Sequence, residues 1–308
     1  MAKINTLTKE LISIPSYVDG LTNESKIGQY IYDFLKTNSK LKVQKQYCTN
    51  DRFNVIATNG KSVDVLVVGH IDTVQPSKSW SINPFIPKIS KGNLYGLGSS
   101  DMKSGVATML SSAIDPKLKS NTMFLFYIDE EYDFLGMKTF VREYQDKIKP
   151  KKIISLDGSN LSISNGCRGL IEIDVTIKGK SAHAARPSKG INAISKSYII
   201  INNLFNWLGN YVSSDLGQTV YNLAYIFGGQ YKDKTSDGLI LGKQGNIIPD
   251  ICQFIIDIRP SRNELTAIKV KDFIYKEADK QSVEIFDFKI RHSLGSWLTP
   301  KDQLNLDI

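Results

Sequence analysis

Three apolar runs in the first half of the chain end in acidic residues, and one of them also ends in an imidazole. VDVLVVG runs into His70-Ile71-Asp72, MFLFYI into Asp129-Glu130-Glu131, and KKIISL into Asp157-Gly158. A fourth acid, Asp101, sits in the glycine-rich stretch GLGSSDMKSG where a helical pattern begins. Side chains at i and i+2 of a strand point the same way, so Asp72 can hydrogen-bond the ring of His70. A metal-bound histidine needs such a partner to fix its tautomer and raise its basicity. Adjacent carboxylates beyond an apolar strand repel each other and are costly to bury without a cation. With a cation, one carboxylate can be a ligand and its neighbour a general base. Each cluster also has an ordinary reading: a surface turn for His70-x-Asp72, an N-cap for Asp101, a solvated loop for residues 129–131. Their succession at strand ends that converge points to a metal site.

The elements that position these groups are legible from periodicity. Residues 23–38 place Ile27, Tyr30, Ile31, Phe34 and Leu35 on one helical face. Short β-rich runs follow at 53–57, 64–69, 122–128 and 153–156, with helical patterns at about 102–114 and 133–146. Short buried strands alternating with helices predict an α/β layer with a largely parallel sheet. On such sheets ligands bind beyond the carboxyl ends of the strands, where the acids are. From about residue 165 the pattern changes. Residues 169–179 alternate as a half-exposed strand, 190–208 and 262–279 read as helices, and 219–227, 251–258 and 282–291 as strands. Two helices on a four-stranded antiparallel sheet predict a second, α+β domain. The expected division is 1–164, 165–291 and a short remainder, 292–308.

Composition narrows the function classes. The chain has 308 residues, 41% of them hydrophobic and 23% charged, enough to bury cores in about two domains. No stretch approaches the roughly 20 consecutive apolar residues of a membrane span. No secretory signal is visible at the start, and three widely spaced cysteines lack any CxxC pair, so a reducing, cytoplasmic location is expected. The net charge of +8 comes from 39 basic and 31 acidic residues. The lysines are dispersed, and the longest cluster, 147–152, is broken by Ile148 and Pro150. A basic stripe with interleaved aromatics is missing, which argues against nucleic acid as a partner.

At these residues the sequence resembles peptidase family M20, the dinuclear-zinc amidohydrolases and exopeptidases. The matching text is VVGHIDTV (67–74), NPFIP (83–87), LYGLGSSDMKSGVATML (94–110) and DEE (129–131). In the second half it is GCRGLIEIDVTIKGKSAHAARPSKGINAI (166–194) and NIIPD…DIRP (246–260). The resemblance implies a zinc exopeptidase-like catalytic domain carrying an inserted lid that also serves dimerisation. It implies that Asp101 bridges two zinc ions, or cobalt or manganese in their place. His70 and Asp157 would complete one site, and Glu131 would belong to the other. Glu130 would be the general base, Asp72 would orient His70, and the Asp101–Met102 peptide would be cis. His183 in SAHAARP would stabilise the oxyanion, often across a homodimer. Arg259 and Asn246 would grip the substrate carboxylate and the reacting group, a task that suits the forked guanidinium; a structural ion pair is the other reading for Arg259. The implied reaction is hydrolysis of an N-acyl amino acid of the acetylornithine or succinyl-diaminopimelate type. A dipeptidase or carboxypeptidase is the alternative.

The pattern departs from the family in three places. Gly96-Leu97-Gly98 and Lys103-Ser104-Gly105 replace the usual glycine-arginine-glycine and lysine-glycine-glycine, without loss of a ligand. The family also returns from the lid to the catalytic domain, where a final histidine binds the second metal. The sequence given stops at Ile308, and His292, expected at the end of the last lid strand, does not suit that role. The second site would keep only Asp101 and Glu131, short of the three protein ligands of a catalytic zinc. The expectation is a fragment or truncated product of an M20 hydrolase. A non-catalytic relative, or a site completed by another chain, is the alternative.

Overall fold

The computed structural model describes residues 2–158, 162–236 and 238–300; residues 301–308, the end of the expected third segment, lie outside the described residues. The chain divides between Ser162 and Ile163 into two compact units.

The first unit contains the helices α1 (Ala2–Ile12), α2 (Ser25–Asn38), α3 (Lys103–Ala113) and α4 (Leu135–Tyr144). Its main sheet contains β1 (Lys42–Tyr47), β2 (Phe53–Thr58), β3 (Val65–His70), β6 (Thr122–Tyr127) and β7 (Lys152–Ser155), in the order β1-β2-β6-β3-β7. A small hairpin, β4 (Lys88–Ser90) and β5 (Asn93–Tyr95), stands apart. The period of two along β6 builds both cores. Phe124 and Phe126 join the helical faces of α2 (Ile27, Ile31, Leu35) and α3 (Val106, Leu110), while Met123, Leu125 and Tyr127 pack with Phe140 of α4. The result is a sheet between two helical layers.

The sheet is parallel where β6, β3 and β7 meet and antiparallel through β1, β2 and β6. Connection length matches this pattern at β1–β2 and at β3–β6. A hairpin suffices between β1 and β2, whereas the parallel neighbours β3 and β6 are linked through α3. Strand β1 has no counterpart among the predicted runs. Its sequence, KVQKQY, is polar because the strand lies at the sheet edge and only Val43 and Gln46 are buried.

The second unit has its main sheet in the order β13-β12-β14-β9-β15, antiparallel throughout. These strands are β9 (Leu170–Lys178), β12 (Val220–Thr235), β13 (Gly238–Gly242), β14 (Ile251–Arg259) and β15 (Glu284–Leu294). The expected four strands are therefore joined by a fifth, β13, too short and glycine-bounded to stand out in the sequence. Helices α5 (Ala193–Leu208) and α6 (Ala267–Lys280) cover one face. Ile173, Val175, Phe254 and Ile256 meet Ile200, Leu204, Val270 and Ile274 there. Both helices start later than predicted, at side-chain caps. Asn192 accepts the N–H of Ser195 at 3.0 Å and Thr266 that of Lys269 at 3.3 Å. Short pairs complete the unit: β10 (Val212–Ser213) with β11 (Gly217–Gln218), and β8 (Gly166–Cys167) with β16 (Trp297–Leu298). Residues 292–300 thus lie within this unit, and His292 sits inside β15 opposite Glu172.

Candidate metal centre

Parallel register sets the site. His70, the last residue of β3, lies level with Tyr127 of β6, so the chain beyond β6 delivers residues 129–131 beside it. Val68 pairs with Ser155, so β7 delivers Asp157 to the same end of the sheet. Asp101 arrives from the loop before α3, and the Asp101–Met102 peptide is cis, as the resemblance implies. Gly98 in this loop has φ +78°, and a Cβ there would stand 2.7 Å from Cγ2 of Thr73, so the turn requires glycine. Helix α3 begins at Lys103 without a side-chain cap. Asp101 is therefore not an N-cap; its carboxylate is directed at His70.

His70 is fully buried, and its Nε2 lies 2.9 Å from Oδ1 of Asp101. On the other side its Nδ1 faces Oδ1 of Asp72 at 3.4 Å, an ion-pair distance rather than a good hydrogen bond, and neither atom has a closer partner. The second oxygen of Asp72 accepts the backbone N–H of Glu131 at 2.9 Å. Burial alone would lower the His70 pKa, but its bond to Asp101 and the adjacent charge of Asp72 outweigh burial and hold it at about 11. The same bond lowers the pKa of Asp101. Burial, reinforced by the charge of Asp101, raises Glu131 to about 7, and burial raises Glu130 and Asp157 above the usual carboxylate range. Five carboxylates, Asp72, Asp101, Glu130, Glu131 and Asp157, thus surround one imidazole.

Donor atoms of His70, Asp101 and Glu131 all lie within 4.8 Å of one another. One nitrogen and two carboxylate oxygens form a donor set suited to zinc and to other divalent first-row metals. Burial first, and the neighbouring carboxylates second, raise Glu130, Glu131 and Asp157, and a bound cation would offset both effects. The residues present therefore fit a metal ion. Asp157 stands outside this trio but is close enough for the charges of Asp101 and His70 to act on it.

Lys103 is a feature that sequence reasoning missed. It is 1% exposed, its Nζ donates to the carbonyl of Ile14 at 2.8 Å, and burial lowers its pKa to about 7. No sequence signal marks it, because a lysine at a helix start reads as solvated.

In the second unit, His183 and Asn246 lie on adjoining segments. His183 bridges to Ile247, and the N–H of Ala184 donates to the backbone carbonyl of Asn246 at 2.8 Å. Nδ1 of the exposed His183 ring accepts the N–H of Ala185 at 3.1 Å. That bond leaves the proton of the neutral ring on Nε2, pointing a donor outward. Arg259 is not brought to them. It ends β14, whose other end, Ile251, follows the Asn246 segment; the strand rise separates these ends by about 27 Å. Its guanidinium forks onto Asp257 at 2.8 and 2.9 Å.

A buried histidine and clustered carboxylates at the carboxyl ends of parallel strands define an α/β unit with a candidate metal site, followed by a separate α+β unit. The chain belongs to peptidase family M20/M25/M40, whose family model matches residues 66–286. It is 27% identical over 293 residues to a probable carboxypeptidase of Aspergillus clavatus, covering 88% of this chain and 65% of that protein. It is 31% identical over 220 residues to an acetylornithine deacetylase of Pasteurella multocida, covering 70% of this chain and 55% of that protein. The chain thus spans between half and two thirds of the length of these relatives. A Staphylococcus aureus tripeptidase shares the fold at a TM-score of 0.73 with 18% identity, over 98% of this chain and 78% of that one.

Proposed function

We propose that this chain carries the catalytic unit of a metal-dependent hydrolase that cleaves the amide bond of an N-acyl amino acid. The observation that carries this reading is the triangle of His70, Asp101 and Glu131 beside the half-buried Glu130. Zinc held there, with Asp101 shared between two sites and Asp157 serving the His70 side, would acidify a water and polarise the amide carbonyl. Glu130 takes the proton of the attacking water and returns it to the leaving amine. Such a transfer is general base followed by general acid catalysis. Asp72 holds the tautomer of His70. Nε2–H of His183 donates to the oxyanion.

Asn246 and Arg259 are assigned to the substrate, Asn246 to the reacting group and Arg259 to the carboxylate. An acyl amino acid is much shorter than the length of β14 that separates them, so both roles on one substrate require two copies of the chain. The exposed apolar residues of β12, Val220, Tyr221, Leu223, Tyr225 and Ile226, support pairing through the second unit. Three unpaired cysteines, Cys48, Cys167 and Cys252, support a cytoplasmic, reducing location.

The test is metal content followed by turnover. The chain is loaded with zinc or cobalt, its bound metal is counted, and acetylornithine, succinyl-diaminopimelate and a panel of dipeptides are offered. Release of acetate or succinate supports the reading. Cleavage of dipeptides alone favours the peptidase alternative, consistent with the carboxypeptidase relative. A chain that holds no metal overturns both.

A further inference from the structure

The turn that carries Glu130 and Glu131 is clasped by residues that the reaction above does not use. Asn54 of β2 is fully buried and holds both ends of the turn. Its Oδ1 accepts the N–H of Ile128 at 3.1 Å, and its Nδ2 donates to the carbonyl of Gly136 at 2.8 Å. The fit is close: a Cβ on Gly136 would stand 2.5 Å from both Asn54 Oδ1 and the Ile128 carbonyl. Between these ends Asp129 takes φ +68°, and its Oδ2 accepts the N–H groups of Asp133 and Leu135, each at 3.2 Å. Its other oxygen meets the guanidinium of Arg52. Arg52, two residues before Asn54, is itself fixed by a fork onto Glu24, with Nε and Nη2 each 2.8 Å from a carboxylate oxygen. Glu24 is 1% exposed, and the Asp129 side chain 5%.

We infer that Arg52, anchored by Glu24, is a positioning residue that acts through Asp129 to aim Glu130 and Glu131. The inference rests on the metal-site reading. Asp129, Glu130 and Glu131 are consecutive, and three free carboxylates would compete for any cation nearby. The left-handed turn at Asp129 and its tie to Arg52 remove the first from that competition. A guanidinium suits this task better than a point charge, because its Nε and Nη2 fork onto Glu24 while Nη2 also reaches Asp129.

The experiment compares the full chain with its Asp129→Asn and Arg52→Lys variants, titrated with Co²⁺ and followed by visible absorption, with the thermal midpoint measured in parallel. Asp129→Asn keeps the shape of the side chain and an oxygen for the two N–H groups, so it isolates the tie to Arg52. The expected result is that both variants fold, bind Co²⁺ 10–100-fold more weakly and show an altered absorption band. A role in stability alone would lower the midpoint and leave affinity and band unchanged, which overturns the inference. Loss of folding in Asp129→Asn overturns it likewise, assigning the triad to stability. If the unmodified chain itself shows no Co²⁺ band, the metal-site reading fails and takes this inference with it.

Discussion

Asp72 joins two walls of the site: one oxygen faces Nδ1 of His70 at 3.4 Å and the other accepts the N–H of Glu131 at 2.9 Å. Two residues 61 positions apart in sequence are thereby held by one buried carboxylate. Asp72→Ala is expected to weaken metal binding and lower turnover by 10–100-fold, the usual effect of losing such a partner. Elemental analysis after dialysis, together with kcat, checks this. Full metal retention in the variant would mean that Asp72 does no more than fill space.

Glu130 and Glu131 are neighbours with different assignments, and substitution should separate them. Glu130→Gln is expected to keep its metal and its KM while kcat falls roughly 10²–10⁴-fold, the range for loss of general acid–base catalysis. Glu131→Gln is expected to lose metal first. Isothermal titration with Zn²⁺ beside steady-state kinetics distinguishes the two; equal metal loss in both would put Glu130 among the ligands.

How far the site was legible follows from where its partners lie. His70, Asp101, Glu131 and Asp157 stand out because each follows a β-rich run or a glycine turn, and a strand end is readable from local pattern. The cis bond at Asp101–Met102 came only with the family resemblance. Arg52 and Glu24 were illegible because they are 28 positions apart and meet only after α2 packs on β2. Lys103 was hidden for the opposite reason: its burial contradicts its residue type. Strand β1 failed to register because an edge needs little apolar sequence, and β13 because it is short and bounded by glycines.

Metal uptake should release protons. Without metal, the partners of His70 hold its pKa at about 11 and burial holds Glu131 at about 7, so at pH 7 the ring is charged and the carboxyl about half protonated. A ligand binds metal only after losing its proton. Apparent Co²⁺ affinity is therefore expected to rise with pH from 6 to 8, by about tenfold per unit for each proton displaced. Titrations at three pH values and proton counting in weak buffer test this; an affinity flat across that range would exclude His70 as a ligand.

Lys103 offers a pH-dependent stability test that leaves the metal aside. Its folded pKa of about 7 lies below the ordinary lysine value near 10.5, because burial disfavours the charge. Between those values the unfolded chain binds more protons than the folded one, so the contribution of Lys103 to stability rises with pH. Below pH 7 both states are charged and the cost of burying the ammonium is felt in full. Above about 10.5 both are neutral and the cost is gone. Lys103→Met removes the titrating group while keeping most of its volume, and leaves the Ile14 carbonyl without its donor. The variant's stability relative to the native chain is therefore expected to be most favourable below pH 7. That advantage should shrink by about tenfold in the folding equilibrium per pH unit up to about 10. Urea unfolding of the metal-free chain and the variant at pH 6, 8 and 10 measures the difference directly, and other titrating groups cancel between the two. A difference that stays constant across this range would show that Lys103 keeps its charge in the folded chain.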